Sequence, residues 1–356
     1  MSERVLMKGN EALAEAAIRA GCKHFFGYPI TPQTEVAAYM SKKLPKIGGV
    51  YLQAESEVSA INMVQGASAA GVRCMTSSSS PGISLKTEGI SYMAGADLPC
   101  VIINIQRGGP GLGGIQPSQA DYNQATRALG HGDFHVLVFA PSTVQEMVEL
   151  TSKAFYLADL YRMPALILAD GMLGQMMEPV SFDSVPAYPA IEKPWATTGT
   201  KGARGHNIVN SLYLQPEKLE ELVIQRFKRY DTIKAEEQMA ELTMMDDAEI
   251  ALVAYGATSR VVKAAVKMAR AEGIKAGCIR PITLWPFPSN ALNDALKTVK
   301  RFLTVEMSMG QMVDDVKLAI NCARPVDFYG RTGGMIPEPA EILEKIRETA
   351  AKEDLA

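Results

Sequence analysis

The chain has 356 residues, 47% of them hydrophobic, and a formal net charge of −3. That length allows two domains with cores of their own, and the mild negative charge gives no electrostatic case for binding nucleic acid. No run of about 18 apolar residues is present, so a membrane span is not expected. The five cysteines, Cys22, Cys74, Cys100, Cys278 and Cys322, are scattered and form no CxxC pair. They argue against a disulfide framework and against an iron–sulfur or zinc site within this chain. The N-terminal Met1-Ser2-Glu3-Arg4 has no signal-peptide core, and the expected location is cytoplasmic.

In chain order, residues 9–20 read as a helix stopped at Gly21, with Ala12, Leu13, Ala16, Ala17 and Ala20 on one face. A short strand is predicted at 23–26. The loop Gly27-Tyr28-Pro29-Ile30-Thr31-Pro32 follows. Its two prolines hold Ile30 and Thr31 extended and present the Thr31 hydroxyl from a stiff frame. Helices are predicted near 32–42, 56–70, 83–96, 119–128 and 143–159. Buried strands are predicted near 50–53, 73–76, 100–105, 136–139 and 165–169. This alternation points to a parallel sheet covered on both faces. The segments 27–32, 77–82 and 107–118, rich in Gly, Pro and Ser, fall after strands, where open α/β sheets gather ligands.

Residues 171–245 break the rhythm with recurrent prolines, a glycine-rich stretch over 199–206 and a charged helix from Pro216 to about Met244. A second α/β pattern begins at Glu249. Its strands are expected near 249–254, 275–279, 301–305 and 325–329, and its helices near 258–272, 289–299, 311–322 and 338–351. The expected division is residues 1–240, including the excursion and linker, and residues 241–356.

Three segments carry candidate chemistry. Gln53-Ala54-Glu55-Ser56-Glu57 ends a strand and starts a helix. Glutamate in a first turn is also what the helix dipole favours on structural grounds, but Glu57 leads into the buried side. Thr76-Ser77-Ser78-Ser79-Ser80-Pro81-Gly82 can lend hydroxyls and backbone N–H groups to an anionic ligand, or simply be a polar loop. Gln106-Arg107-Gly108-Gly109-Pro110-Gly111 fits neither the P-loop nor the GxGxxG spacing, and reads as a close-approach loop carrying an arginine. The histidines His24, His131, His135 and His206 form no hydrolase pattern and read as structural.

Taken together, Tyr28-Pro29-Ile30-Thr31-Pro32, Glu57 ahead of the Gly66-Ala67 helix, Gln106-Arg107-Gly-Gly-Pro, Thr198-Gly199 and Gly205-His206 resemble the α subunit of the 2-oxoacid:ferredoxin oxidoreductases. The resemblance covers nearly the whole chain. It is nearest to the ketoisovalerate, or branched-chain, subfamily, with the 2-oxoglutarate subfamily next. It implies an α/β fold: a thiamine-diphosphate pyrimidine-binding-like parallel-sheet domain, then a transketolase C-terminal-like α/β domain. It also implies oxidative decarboxylation of a 2-oxoacid to acyl-coenzyme A and carbon dioxide, with electrons passed to ferredoxin.

The same resemblance implies partners. A β subunit holds the diphosphate and Mg2+ of a shared thiamine diphosphate, and ferredoxin-like and γ subunits complete the complex, with the iron–sulfur clusters outside this chain. The chain lacks the Gly-Asp-Gly…Asn signature of diphosphate and magnesium binding. Glu57 matches the family's activating glutamate at the pyrimidine N1′, with Glu55 the alternative if the register slips. Thr31 matches the threonine that contacts 2-oxoacid and coenzyme A. Tyr28, Pro29, Arg107, Gln116 and Ser118 are its expected companions, and Ser79 an expected cofactor contact. No metal ligand is expected in this chain.

One departure bears on substrate. Family members that handle 2-oxoglutarate place a basic residue after the Gly-Gly-Pro. This chain has Gly111-Leu112-Gly113-Gly114-Ile115-Gln116-Pro117-Ser118-Gln119 there. A charge-assisted hydrogen bond contributes roughly 1.5–3 kcal/mol, so a dicarboxylate loses more than a monocarboxylate. The expectation is therefore a branched-chain 2-oxoacid such as 2-oxoisovalerate. The alternatives are 2-oxoglutarate and a non-catalytic scaffold subunit.

Overall fold

A computed structural model describes residues 4–352. Its strands are β1 Val5–Lys8, β2 His24–Gly27, β3 Val50–Gln53, β4 Cys74–Ser78, β5 Cys100–Gln106, β6 Leu137–Phe139, β7 Pro164–Asp170, β8 Met177–Val180, β9 Ala240–Thr243, β10 Ile250–Val253, β11 Ala276–Pro281, β12 Thr283–Trp285, β13 Arg301–Glu306 and β14 Val326–Gly330. A seven-stranded sheet runs β12-β6-β7-β5-β4-β2-β3 and a five-stranded sheet runs β14-β13-β10-β11-β9. Both are parallel except for one antiparallel edge each, β12 on β6 and β9 on β11. A third, two-stranded sheet pairs β1 with β8.

The central strands β5 and β7 are buried along their full lengths, as a parallel sheet covered on both faces requires. In the second sheet the faces divide by alternation. Ala251 and Val253 of β10 join the main core shared with the first sheet. Ile250, Leu252 and Ala254 instead face the separate core built with the helices Thr258–Ala271 and Pro339–Ala350. The second unit thus presses one sheet face onto the first.

Most predicted elements are present within a few residues. The predicted helix over 83–96 is two pieces, Pro81–Ser84 and Thr87–Gly95, which matters below. The charged helix ends at Glu236, and β9 occupies residues expected to stay helical. β1, β8 and β12 went unrecognised because each is short and is defined by a remote partner rather than by its own pattern.

Two polar devices join the units. Gln119 donates from Nε2 to Tyr255 O at 2.9 Å, while its Oε1 accepts from Thr258 Oγ1 at 2.9 Å and from Met307 N at 3.0 Å. Arg280 on β11 is fully buried and donates to both carboxylate oxygens of Glu146, at 3.0 and 2.6 Å, and to Glu241 at 2.7 Å. Glu146 belongs to the helix Val144–Tyr161 of the first unit. Removing the guanidinium leaves two carboxylates facing each other in a partly buried site. Arg280→Ala is expected to lower unfolding stability by on the order of 3 kcal/mol in urea titration. Lys297→Ala, which breaks an exposed pair with Asp294, is expected to leave the midpoint unchanged.

Candidate active site at the carboxyl edge of the first sheet

The loops after β2, β3, β4 and β5 meet at one end of the seven-stranded sheet. β3 is its edge strand, with Val50, Leu52 and Gln53 exposed. The chain leaves β3 through Ala54 and Glu55 and enters the helix Glu57–Ala69. Ser56 caps that helix, its Oγ accepting from Ser59 N at 3.2 Å. This places Glu57 at the first helical position, with its side chain turned inward and only 6% exposed. Glu55 is exposed and spends its carboxylate on the Ser59 hydroxyl. Of the two glutamates only Glu57 is buried.

Gly82 makes room for it. A Cβ at Gly82 would stand 2.5 Å from Glu57 Oε1 and 2.1 Å from Ser78 Oγ, closer than real atoms approach. Among the described residues the Glu57 carboxylate accepts no side-chain hydrogen bond. Thr76 Oγ1, Ser78 Oγ, Ser79 Oγ and Lys86 Nζ are buried without partners nearby in the chain. Buried polar atoms are normally satisfied, so these unpaired groups near Glu57 make this end of the sheet a candidate ligand site. An acceptor carboxylate and free hydroxyls suit an aminopyrimidine, which offers ring nitrogens and an exocyclic amine. The residues present thus fit the pyrimidine half of thiamine diphosphate.

The Tyr28–Pro32 segment is a turn rather than a plainly extended frame: Gln33 N donates to Ile30 O at 3.2 Å across a cis Thr31–Pro32 peptide. Thr31 is exposed and borders a cleft of about 730 Å3 with Pro32, Glu35, Ile115, Gln116 and Met172. Glu35 is held below its usual range: burial pushes it up, but hydrogen bonds from Asn10, Gln175 and Lys8 outweigh that. No lysine or arginine lines the cleft among the described residues.

The other expected companions divide. Gln116 reaches the cleft, with Gly334 of the second unit closely packed on it. Arg107 is buried and donates to Thr31 O at 2.9 Å and Leu112 O at 3.2 Å, so its guanidinium ties two loops together while Nε stays unpaired. Ser118 is placed elsewhere than expected: it is buried, its hydroxyl donating to Met307 O at 3.4 Å and accepting from Ala120 N. Tyr28 and Pro29 are exposed on the turn and do not line the cleft.

Several positioning residues escaped the sequence reading. Gln33 accepts from Ser77 Oγ at 2.5 Å and donates to Tyr28 O, joining the threonine turn to the serine loop. Ser80 sits at φ 28°, uncommon outside glycine, and is held by its surroundings. Its N–H donates to Asn104 Oδ1 and its Oγ to Asp121 Oδ2 at 2.6 Å, while Arg107 N donates back to Ser80 Oγ. Burial raises the Asp121 carboxyl, against the pull of Ser80, Asn104 and Arg107. Ser80 and Arg107 lie in the serine and glycine-rich loops singled out from the sequence, and a further sequence signal is polar residues in an otherwise apolar strand, Asn104 and Gln106 in β5.

The sequence model of the family described as "Pyruvate flavodoxin/ferredoxin oxidoreductase, thiamine diP-bdg" matches residues 15–245, and "Pyruvate:ferredoxin oxidoreductase core domain II" matches residues 248–342. The chain is 49% identical over 345 residues to ketoisovalerate oxidoreductase subunit VorB of Methanothermobacter thermautotrophicus, covering 97% of each. It is 38% identical over 378 residues to 2-oxoglutarate synthase subunit KorA of Methanothermobacter marburgensis, covering 97% of this chain and 99% of that one. The solved 2-oxoglutarate:ferredoxin oxidoreductase from Magnetococcus marinus superposes with a TM-score of 0.86 at 27% identity, over 98% of this chain and 65% of that chain. The protein belongs to the 2-oxoacid:ferredoxin oxidoreductase family, as a subunit that acts with partner subunits. No helix among the described residues is long and apolar enough to cross a membrane.

The close approach at Gly82 is testable. Gly82→Ala must displace Glu57 or Ser78 and is expected to destabilise the chain by roughly 1–3 kcal/mol in thermal unfolding. Gly66→Ala, in the same helix as Glu57 with nothing within 4 Å of its Cβ position, should be neutral or slightly stabilising.

Proposed function

We propose that this chain is the α subunit of a coenzyme A-dependent branched-chain 2-oxoacid:ferredoxin oxidoreductase. It converts 2-oxoisovalerate to the acyl-coenzyme A and carbon dioxide, with electrons leaving for ferredoxin. The observation that carries the class is Glu57: buried, at a helix N-terminus, with no internal donor, beside orphaned hydroxyls. Bound thiamine diphosphate supplies the electron sink that lets a 2-oxoacid lose carbon dioxide. Glu57 is the carboxyl that shares a proton with the pyrimidine nitrogen, and Ser79 lies among the cofactor's contacts. Thr31 offers a neutral hydroxyl to the substrate carboxylate or to coenzyme A, and the Arg107 guanidinium holds the Thr31 turn in place. Gln116 supplies a second uncharged donor from the opposite wall.

The cofactor's diphosphate and Mg2+ are assigned to a β subunit, and the iron–sulfur clusters to ferredoxin-like and γ subunits. That division rests on the missing Gly-Asp-Gly…Asn segment and on the scattered cysteines, of which Cys22, Cys74, Cys100 and Cys278 are buried. Substrate choice rests on the cleft. Its apolar lining and its lack of lysine or arginine favour an aliphatic side chain over a second carboxylate. The identity to VorB, higher than to KorA, points the same way.

Coexpression with partner subunits tests the substrate. Coenzyme A-dependent viologen reduction is expected to be fastest with 2-oxoisovalerate; a clear preference for 2-oxoglutarate or pyruvate would refute that assignment. In the same assay Glu57→Gln is expected to cut turnover about a hundredfold or more while the complex still assembles.

A further inference from the structure

Lys86 is a buried charge beside this site for which the reading above has no role. It lies between the short helix Pro81–Ser84 and the helix Thr87–Gly95, its backbone N–H donating to Ile83 O at 2.9 Å. Leu85 and Lys86 keep right-handed helical backbone angles. Gly82 and Lys86, four residues apart along that turn, therefore share a face. Gly82 is the residue pressed against the Glu57 carboxylate. The Lys86 side chain is 0% exposed, and its Nζ bonds to nothing.

An ammonium with three donors, sealed from water without a hydrogen bond, is rarely retained unless an opposite charge compensates it. Among the described residues the one charge acting on Lys86 is Glu57, across from it on the neighbouring helix. Burial pushes the Lys86 ammonium down to about 8, and Glu57 resists that shift. Lys86 is thus an ammonium sealed inside the protein with the Glu57 carboxylate as its compensating charge.

We propose that Lys86 is the counter-charge of Glu57, a positioning residue that stabilises its carboxylate form and so favours transfer of the carboxyl proton to the cofactor's pyrimidine nitrogen. In that step the O–H bond of Glu57 breaks and an N–H bond forms on the ring. No electrons leave or enter. The anion left behind is the species the ammonium stabilises. A neutral side chain in its place makes Glu57 a weaker acid and the shared proton stays nearer the carboxyl. The inference rests on the reading of Glu57 given above, and the test separates the two.

The experiment uses the complex assembled with its partner subunits and freed of cofactor. Thiamine diphosphate with Mg2+ is titrated by calorimetry across the pH range the complex tolerates. In Lys86→Met and Lys86→Gln the midpoint of the affinity–pH profile is expected to move up by about one pH unit, because a cation near a carboxyl group favours its ionised form. Lys86→Arg should restore the wild-type midpoint. In steady state the neutral variants should lower kcat while KM for the 2-oxoacid changes less than about twofold. A midpoint unmoved in both neutral variants, with Glu57→Gln abolishing the pH dependence, overturns the role of Lys86 alone. Wild-type affinity and pH profile in Glu57→Gln would instead overturn the reading of Glu57.

Discussion

The close contact between the Glu57 carboxylate and Gly82 is the constraint on which the site depends. An acid at the first position of a helix is ordinarily a solvated partner for the helix dipole. Here the helix starts beside the sheet edge, Ser56 caps it, and the side chain turns into the protein against a residue with no Cβ. Burial without an internal donor leaves the carboxylate needing an external one. The orphaned Thr76, Ser78 and Ser79 hydroxyls repeat that need on the adjoining strand and loop.

Everything else at this end of the sheet serves to hold neighbouring loops at fixed distances. Gln33 bridges the threonine turn to the serine loop, and Asp121 with Asn104 holds Ser80 in its unusual backbone conformation. Arg107 ties the Thr31 carbonyl to its own loop. The second unit packs onto this end where Tyr255, Thr258 and Met307 bond Gln119 and where Gly334 lies on Gln116. The Thr31 turn and the serine loop that ends beside Gly82 are thereby tied together through Gln33 and Arg107.

Much of this architecture could be read from the amino-acid order, because buried parallel strands and capped helices carry local signatures. β5 and β7 are continuous apolar runs, and the Glu57 helix begins at a Ser cap. Local pattern failed where a residue's environment is set by something distant. β1, β8, β9 and β12 exist through pairing with remote strands. Ser118 looked like a ligand contact by position in its loop, yet the second unit's Met307 carbonyl claims it. Lys86 falls within the helix predicted over 83–96, where no local pattern marks it as buried, yet it is sealed inside.

On the proposed assignment this chain builds only the pyrimidine side of a site shared with a partner. Thiamine diphosphate and Mg2+ titrated by calorimetry into the chain alone, and into the chain assembled with its diphosphate-binding partner, test that claim most directly. Saturable, tight binding is expected only in the assembly. Tight binding to the chain alone would contradict it.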